Sequence, residues 1–540
     1  MENGSERISK SGSASAEAKS ELQDYLEVSQ QRHKLFPRAA VVGLVAGAVA
    51  VVFRALLAGG DNLRNDLVIW SHSAPLLGWV FPVLFGACGT TAAVWLVLRY
   101  APETSGSGIP HLKAVLHRVR DLSWTRVLLV KMLSGVLAIG SGLALGREGP
   151  TVQMGGAVAD GLGRAMKVSP SDRLTLMAAG AGAGLAAAFN APLSGLVFVL
   201  EEMRRDFRPA VFGAAFLAAA SADVVARSVS GQLPVFTVPN YTMPPLTALP
   251  AFALLGITAG GLGVAFNRCL LEAVDFAQRL NHGRRLAMAA AVGGAVGLVA
   301  WFYPLAVGGG HELAETVLMN QTGILAIPVL FLLRFALTVT GYGTGSAGGI
   351  FSPLLVLGAL LGLGVGHLAH GLAPVLAPEP GVFAVVGMAA YFTAIVRAPL
   401  TGILLITEMT GSYEQMLPLL TSSFCAYAAA EYLRDLPIYE ALLERDLERG
   451  GFGDGHAKPI VAEFEVEPDA PFAGRLVREL GLPSGCILVR CALDHTEQVV
   501  TADTRLQRHM KITAVIAPEA HKALELLRRG CTANAENTRT

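Results

Sequence analysis

Apolar residues in this chain come in long runs, not in the three-or-four spacing of a surface helix. A helix needs about 20 apolar residues to cross a bilayer. Windows of that size without charge lie at 74–98, 174–200 and 286–310. Shorter ones lie at 39–53, 126–146 (interrupted by Lys131), 208–222, 251–266, 380–396 and 415–430. The window 335–378 is too long for one span. It is also broken by Gly341, Gly343, Gly345, Gly348 and Gly349, so it predicts helix, loop, helix. Irregular backbone at membrane depth survives only where protein buries it or where it lines a cavity.

Composition agrees with that pattern. The 540 residues are 52% hydrophobic and 16% charged, with 60 glycines. A soluble protein carries about 25% charged residues, whereas abundant glycine suits close helix packing in lipid. The class predicted is a polytopic membrane protein. Lysine plus arginine equals aspartate plus glutamate, so the net charge is zero and nothing suggests a nucleic-acid partner. Cys88, Cys269, Cys425, Cys486, Cys491 and Cys531 lack metal-ligand spacing and read as buried small hydrophobes.

Five segments are expected: a polar N-terminal stretch 1–38, a transmembrane domain 39–443, a linker 444–458, a soluble α+β domain 459–530, and a disordered tail 531–540. The N-terminal stretch lacks the layout of a cleaved signal. Arg32, Lys34 and Arg38 before the first span favour a cytoplasmic N-terminus, and 20–35 reads as an interfacial helix or a solvated tail. In the soluble domain, IVAEFEV, CILVRCAL, EQVVTA and KITAVIA predict strands. APFAGRLVREL and PEAHKALELLRR carry helical spacing.

The transmembrane domain repeats itself. AFNAPLSGLVFVLEEM (188–203) resembles AIVRAPLTGILLITEM (394–409); Ala191, Pro192, Leu193, Gly195 and Glu201 recur 207 positions later as Ala398, Pro399, Leu400, Gly402 and Glu408. GREGPTVQMG (146–155) shares its Gly–Pro–Gly frame with GIFSPLLVLG (349–358). Two similar halves with broken helices at matching positions point to a transporter whose site lies between the repeats.

Three segments share one chemical character: GSGIP (106–110), GREGP (146–150) and GGIFSP (348–353). Each sets glycines before a proline suited to a helix's first turn. A helix start presents unpaired N–H donors and about half a positive charge. Several such starts aimed at one point would bind an anion loosely enough to release it. Within GREGP, Glu148 is a carboxylate in an apolar run. Taken alone, Arg147 and Glu148 read equally as a charged pair at a helix end.

GSGIP, GREGP, GGIFSP and the tyrosine of PIYEALL, in that order, resemble the CLC family of chloride channels and chloride/proton antiporters. The resemblance spans about Arg38 to Leu443 and is strongest to the bacterial antiporters. It implies an inverted-repeat fold, a homodimer in the bacterial inner membrane with both termini cytoplasmic, and no cofactor, chloride being the bound substrate. It implies that Ser107, Ile350, Phe351 and Tyr439 bind chloride, with Gly106, Gly108, Gly146, Gly149 and Gly349 shaping the anion path. Glu148 matches the gating glutamate and Glu202 the internal proton-transfer glutamate. A carboxylate at Glu202 goes with antiport and an apolar residue with a passive channel. Glu201, echoed by Glu408, reads as a structural cap or bridge. One departure follows GSGIP: His111 and Lys113 stand where relatives tend to carry acids, and Lys131 would usually have a carboxylate nearby. His111 reads as a solvated helix-start histidine, and Gly308–Gly310 with His311 as a family loop without a metal. The stretches EFEVEPDAPFAGRLVRELGLPSGCILVR and TADTRLQRHMKITAVIAPEA resemble the TrkA-C domain, which implies either a small-molecule ligand or a dimer scaffold. No protease or hydrolase signature appears, so an enzyme is not expected.

Overall fold

The computed structural model describes residues 3–449 and 460–532, apart from 75, 240, 375–378, 469, 494–495, 518–519 and 521, with side chains described from His33 onward except at 449, 460, 496 and 522. The chain divides into two compact units, Met1–Glu444 and Arg445–Thr540.

The first unit is helical. Its first half runs α1 (Asn3–Ser71), α2 (Val80–Tyr100), α3 (Ile109–Leu116), α4 (Trp124–Gly140), α5 (Glu148–Ala165), α6 (Pro170–Phe189), α7 (Pro192–Phe198) and α8 (Pro209–Ser230). The second half runs α9 (Leu249–Arg279), α10 (His282–Phe302), α11 (His311–Leu318), α12 (Ala326–Gly343), α13 (Phe351–Leu372), α14 (Pro380–Val396), α15 (Pro399–Thr410) and α16 (Met416–Tyr432), followed by α17 (Ile438–Arg449). Among the described residues, seven helices are long and apolar enough to cross a membrane.

The two halves match helix for helix. Short α3 and short α11 each begin after a glycine in left-handed conformation, Gly108 (φ +77°) and Gly310 (φ +80°). Helices α6 and α14 each stop at a left-handed residue, Asn190 and Arg397, and a proline restarts the chain two residues on. This break splits the apolar window 174–200 into two helices, because an αL residue followed by Xaa-Pro cannot continue a helix. The window 335–378 divides as expected, with its loop between Gly343 and Phe351. Bare backbones meet where the halves are tightest. A Cβ at Gly155 would lie 2.1 Å from the Gly180 carbonyl oxygen, and one at Gly358 would lie 2.4 Å from that of Gly387.

Helix α1 continues through the polar N-terminal stretch without a boundary at residue 38; the side chains of 1–32 lie outside the described residues. So do most of the linker expected at 444–458 and the tail beyond Thr532. Cys88 and Cys269 do not follow the expectation of burial. They stand exposed on apolar helices α2 and α9, while Cys486, Cys491 and Cys531 are buried.

The second unit is an antiparallel sheet of order β1–β4–β2–β3, formed by β1 (Ile460–Glu465), β2 (Cys486–Leu493), β3 (Thr496–Val499) and β4 (Lys511–Ile516). The closing helix α18 (Lys522–Cys531) packs Ala523, Leu527 and Cys531 into the core with Leu488, Ile512 and Ile516. Cys531, assigned to the tail by sequence, thus ends a packed helix. APFAGRLVREL forms turns and one 3₁₀ turn rather than a helix. Its N–H groups go to distant carbonyls: Phe472 to Gly530, Val477 to Thr504 and Arg478 to Ala502.

Candidate anion site and proton-site glutamates

Three loops meet inside the helical unit, and backbone bonds stitch them together. Gly106 N–H donates to Ser346 O (3.0 Å), and Gly348 N–H to Gly106 O (3.0 Å). Gly146 and Gly349 exchange both N–H bonds at 2.7 Å. The GGIFSP loop therefore lies between the other two. Glycine is needed because nothing else fits. A Cβ on Gly349 would come 2.9 Å from the Gly149 nitrogen, and one on Gly149 2.8 Å from the Ser107 Cβ. One on Gly108, whose φ is also positive, would fall inside the Gln153 amide. The starts of α3, α5 and α13 are thereby brought together, each with orphan N–H donors.

The predicted residues surround this junction. Ser107, Ile350, Phe351 and Tyr439 are fully buried. Ser107 Oγ accepts from Ile109 N–H at 3.3 Å, and Ser107 N–H donates to the Tyr342 hydroxyl at 3.3 Å. Tyr439 stacks on Phe351, ring centroids 6.3 Å apart, and its buried hydroxyl has no partner. Among the described residues the N–H groups of Ile350 and Phe351 likewise have no acceptor. An unpaired buried polar group costs about 1–3 kcal/mol, so three together ask for a ligand.

Glu148 opens α5 and is buried. Its carboxylate reaches across to α13, accepting from Ser352 Oγ at 2.5 Å and Ser352 N–H at 3.4 Å. Arg147 is a weaker companion, its Nε 3.9 Å away. The charged pair at the helix end is thus present, and the same carboxylate also caps the start of α13. Glu148 and Ser352 also line a cavity of about 330 Å³ with Arg54, Arg64, Arg147 and His311, which neither Tyr439 nor Glu202 borders.

Glu202 lies in a π turn (Val199–Met203) that extends α7. Such turns insert an extra residue and re-aim side chains. Here the adjacent acids part company. Glu201 accepts from Leu400 N–H (3.1 Å), Thr401 N–H (2.7 Å) and Thr401 Oγ (2.7 Å), capping α15. Its repeat mate Glu408 caps α7 in return through Leu193 N–H (3.0 Å), Ser194 N–H (2.8 Å) and Ser194 Oγ (2.5 Å). Glu202 instead turns inward and meets Lys113 Nζ at 2.7 Å. The Lys113 ammonium also lies 2.7 Å from Glu440, which Arg205 approaches at 2.5 Å.

Among the described residues no carboxylate pairs with buried Lys131; it donates to Thr104 O (2.9 Å) and Gly106 O (2.7 Å), behind the GSGIP loop. His111 is half-buried, its Nδ1 3.4 Å from the Gln153 amide nitrogen, rather than solvated. The glycine loop at 308–310 wraps the Arg334 guanidinium, which donates to Ala306 O (3.0 Å) and Gly308 O (2.9 Å). Sequence reasoning missed Ser352, Tyr342 and the Lys113 bridge. Ser352 stood inside GGIFSP; Tyr342 had no signal beyond an aromatic in an apolar run.

An apolar helical unit whose helices stop and restart around a buried polar junction defines a multi-pass membrane transport protein. Residues 88–431 match the family described as voltage gated chloride channel, and 461–528 match the TrkA-C domain. The H(+)/Cl(-) exchange transporter ClcA of Vibrio parahaemolyticus is 42% identical over 416 residues, covering 76% of this chain and 89% of that protein. Its namesake from Vibrio cholerae is 41% identical over 414 residues, covering 76% and 88%. The crystal structure of a slow cyanobacterial Cl⁻/H⁺ antiporter superposes with a TM-score of 0.75 at 35% identity, over 77% of this chain and 98% of that one. The chain belongs to the voltage gated chloride channel family and ends in a TrkA-C domain.

Proposed function

We propose that this protein is a homodimeric chloride/proton exchanger of a bacterial inner membrane, both termini cytoplasmic, each subunit carrying its own pathway. Chloride is the substrate and no cofactor takes part. The observation that carries the reading is the Glu148 carboxylate capping α13 beside the unspent donors of Ile350, Phe351 and Tyr439. A helix start suits any anion, so carboxylate and chloride compete for one place. Ionised, Glu148 blocks the path. Protonated, it loses its attraction to the helix ends and leaves, and chloride enters. Ser107, Ile350, Phe351 and Tyr439 hold the ion, the backbones of Gly106, Gly108, Gly146, Gly149 and Gly349 shape its route, and Glu202 passes protons from the cytoplasm. The TrkA-C domain is read as a place for a small-molecule regulator.

Reconstituted protein is assayed for chloride and proton movement together. Wild type drives protons uphill on a chloride gradient, whereas Glu148→Gln passes chloride and moves no protons. Uphill proton movement in Glu148→Gln refutes the gate. Wild-type chloride flux with no proton movement assigns the protein instead as a passive chloride channel.

A further inference from the structure

We infer that Lys113 is a positioning residue for proton exchange: by joining Glu202 to Glu440 it sets how readily Glu202 accepts a proton. The inference rests on the reading of Glu202 as the internal proton site.

Lys113 sits one turn and a half into α3, the helix that Ser107 precedes, and is buried. Two of its three donors are spent on carboxylates, Glu202 Oε1 and Glu440 Oε1, both at 2.7 Å. Glu440 directly follows Tyr439 on α17. One ammonium therefore ties the helix after Ser107, the helix bearing Tyr439 and the turn bearing Glu202. Among the described residues the other buried lysine, Lys131, is occupied by backbone carbonyls. The charge neutralising Glu202 comes from Lys113.

The charges can be counted element by element. From α3 comes Lys113 and, just past the end of that helix, His117. From α17 come Glu440 and the neutral Tyr439. Beyond the π turn, Arg205 bonds Glu440, and Arg204 and Arg208 pair with Asp206. Glu201 is turned away onto α15. The π turn also packs on α6 and α8. On α6, Arg173 pairs with Asp160, and the Asp172 N–H donates to the capping Ser169 Oγ at the helix start; on α8, Asp223 pairs with Arg227. The inner cluster is thus Lys113 and Arg205 against Glu202 and Glu440, neutral while Glu202 is ionised. Protonating Glu202 leaves a net positive charge, with two cations on one carboxylate; of these Lys113 is buried and Arg205 exposed. Without Lys113 the balance reverses: the ionised state is net negative and the protonated state neutral.

An opposite charge in contact moves a carboxylate's titration by about 1–3 units. Lys113→Met is therefore expected to raise the pH midpoint of proton transport in proteoliposomes by about 1–3 units, with Lys113→Arg holding the wild-type midpoint. Glu440→Gln, which keeps both cations on Glu202, lowers it. A mere tether would reduce chloride and proton transport in parallel and leave the midpoint in place; that result for Lys113→Met overturns the inference. Should Lys113→Met fail to fold, Glu440→Gln decides alone, an unmoved or raised midpoint overturning it. Glu202→Gln is run alongside. If it abolishes proton movement, the Lys113 result stands or falls by itself; if protons still move, the reading of Glu202 has failed instead.

Discussion

Glu201 and Glu202 are adjacent and chemically identical but meet different partners, so exchanging each for glutamine separates structure from transport. The Glu201 carboxylate takes three hydrogen bonds from the start of α15, using both oxygens. Glutamine keeps one acceptor oxygen in a geometry that needs two, so one or two bonds are lost. Each bond to an ionised group contributes about 1.5–3 kcal/mol, and the lost charge at a helix N-terminus costs about 0.3–1 kcal/mol more. Glu201→Gln should therefore cost roughly 2–7 kcal/mol. Glu408→Gln, which removes the mirror cap from α7, should cost a similar amount. Because both caps clamp the same two helices, the double variant should deviate from the sum. Thermal unfolding in detergent reads the loss, and proton-coupled chloride uptake reads the function. Glu201→Gln lowers the unfolding midpoint and leaves the proton-to-chloride ratio unchanged. Glu202→Gln removes proton movement. A folded Glu201→Gln protein that has lost coupling would refute the division of labour between the two acids.

Two further outcomes follow from single side chains. Lys131→Met strands the Thr104 carbonyl in a buried place, at about 1–3 kcal/mol, and leaves the Gly106 carbonyl only its bond from Gly348 N–H; chloride affinity by calorimetry should fall together with the unfolding midpoint, since the Gly106–Ser107 backbone loses an anchor. In the TrkA-C domain, burial pushes the Cys531 thiol up to about 11 from an ordinary 9. The folded state thus disfavours the thiolate: the stability this cysteine lends is complete below pH 9 and is lost as pH climbs towards 11, and a thiol reagent at pH 8 should label Cys531 only after denaturant is added.

The sequence was most readable where a local rule had one solution. Gly–Pro junctions announced the starts of α3, α5 and α13, and the repeat between 188–203 and 394–409 announced that Glu201 and Glu408 share a role. It was unreadable where the partner is remote. Lys113 meets Glu202 across 89 positions and Glu440 across 327, and no spacing rule reaches so far. The split of 174–200 was hidden because Asn190 supplies an αL stop without glycine. The helical spacing of APFAGRLVREL misled because periodicity describes side chains, whereas the backbone there pairs with residues 502, 504 and 530.

The repeat also explains why full cations stand so near a pathway meant to hold anions loosely. In the first half Lys131, from α4, binds the carbonyls of Thr104 and Gly106, just before α3. In the second half Arg334, from α12, binds those of Ala306 and Gly308, just before α11. The two cations occupy matching places and perform the same task. Each gathers the carbonyl oxygens of the loop that precedes a short helix and so fastens that loop in place. A lysine pointing at chloride would hold it too firmly for turnover, whereas one whose donors are spent on carbonyls fastens the loop without contacting the ion. On the proposed reading, the strength of the anion site is therefore set by how Lys131 orients the GSGIP backbone, and the second half keeps the same fastening beside the cavity that leads to Glu148.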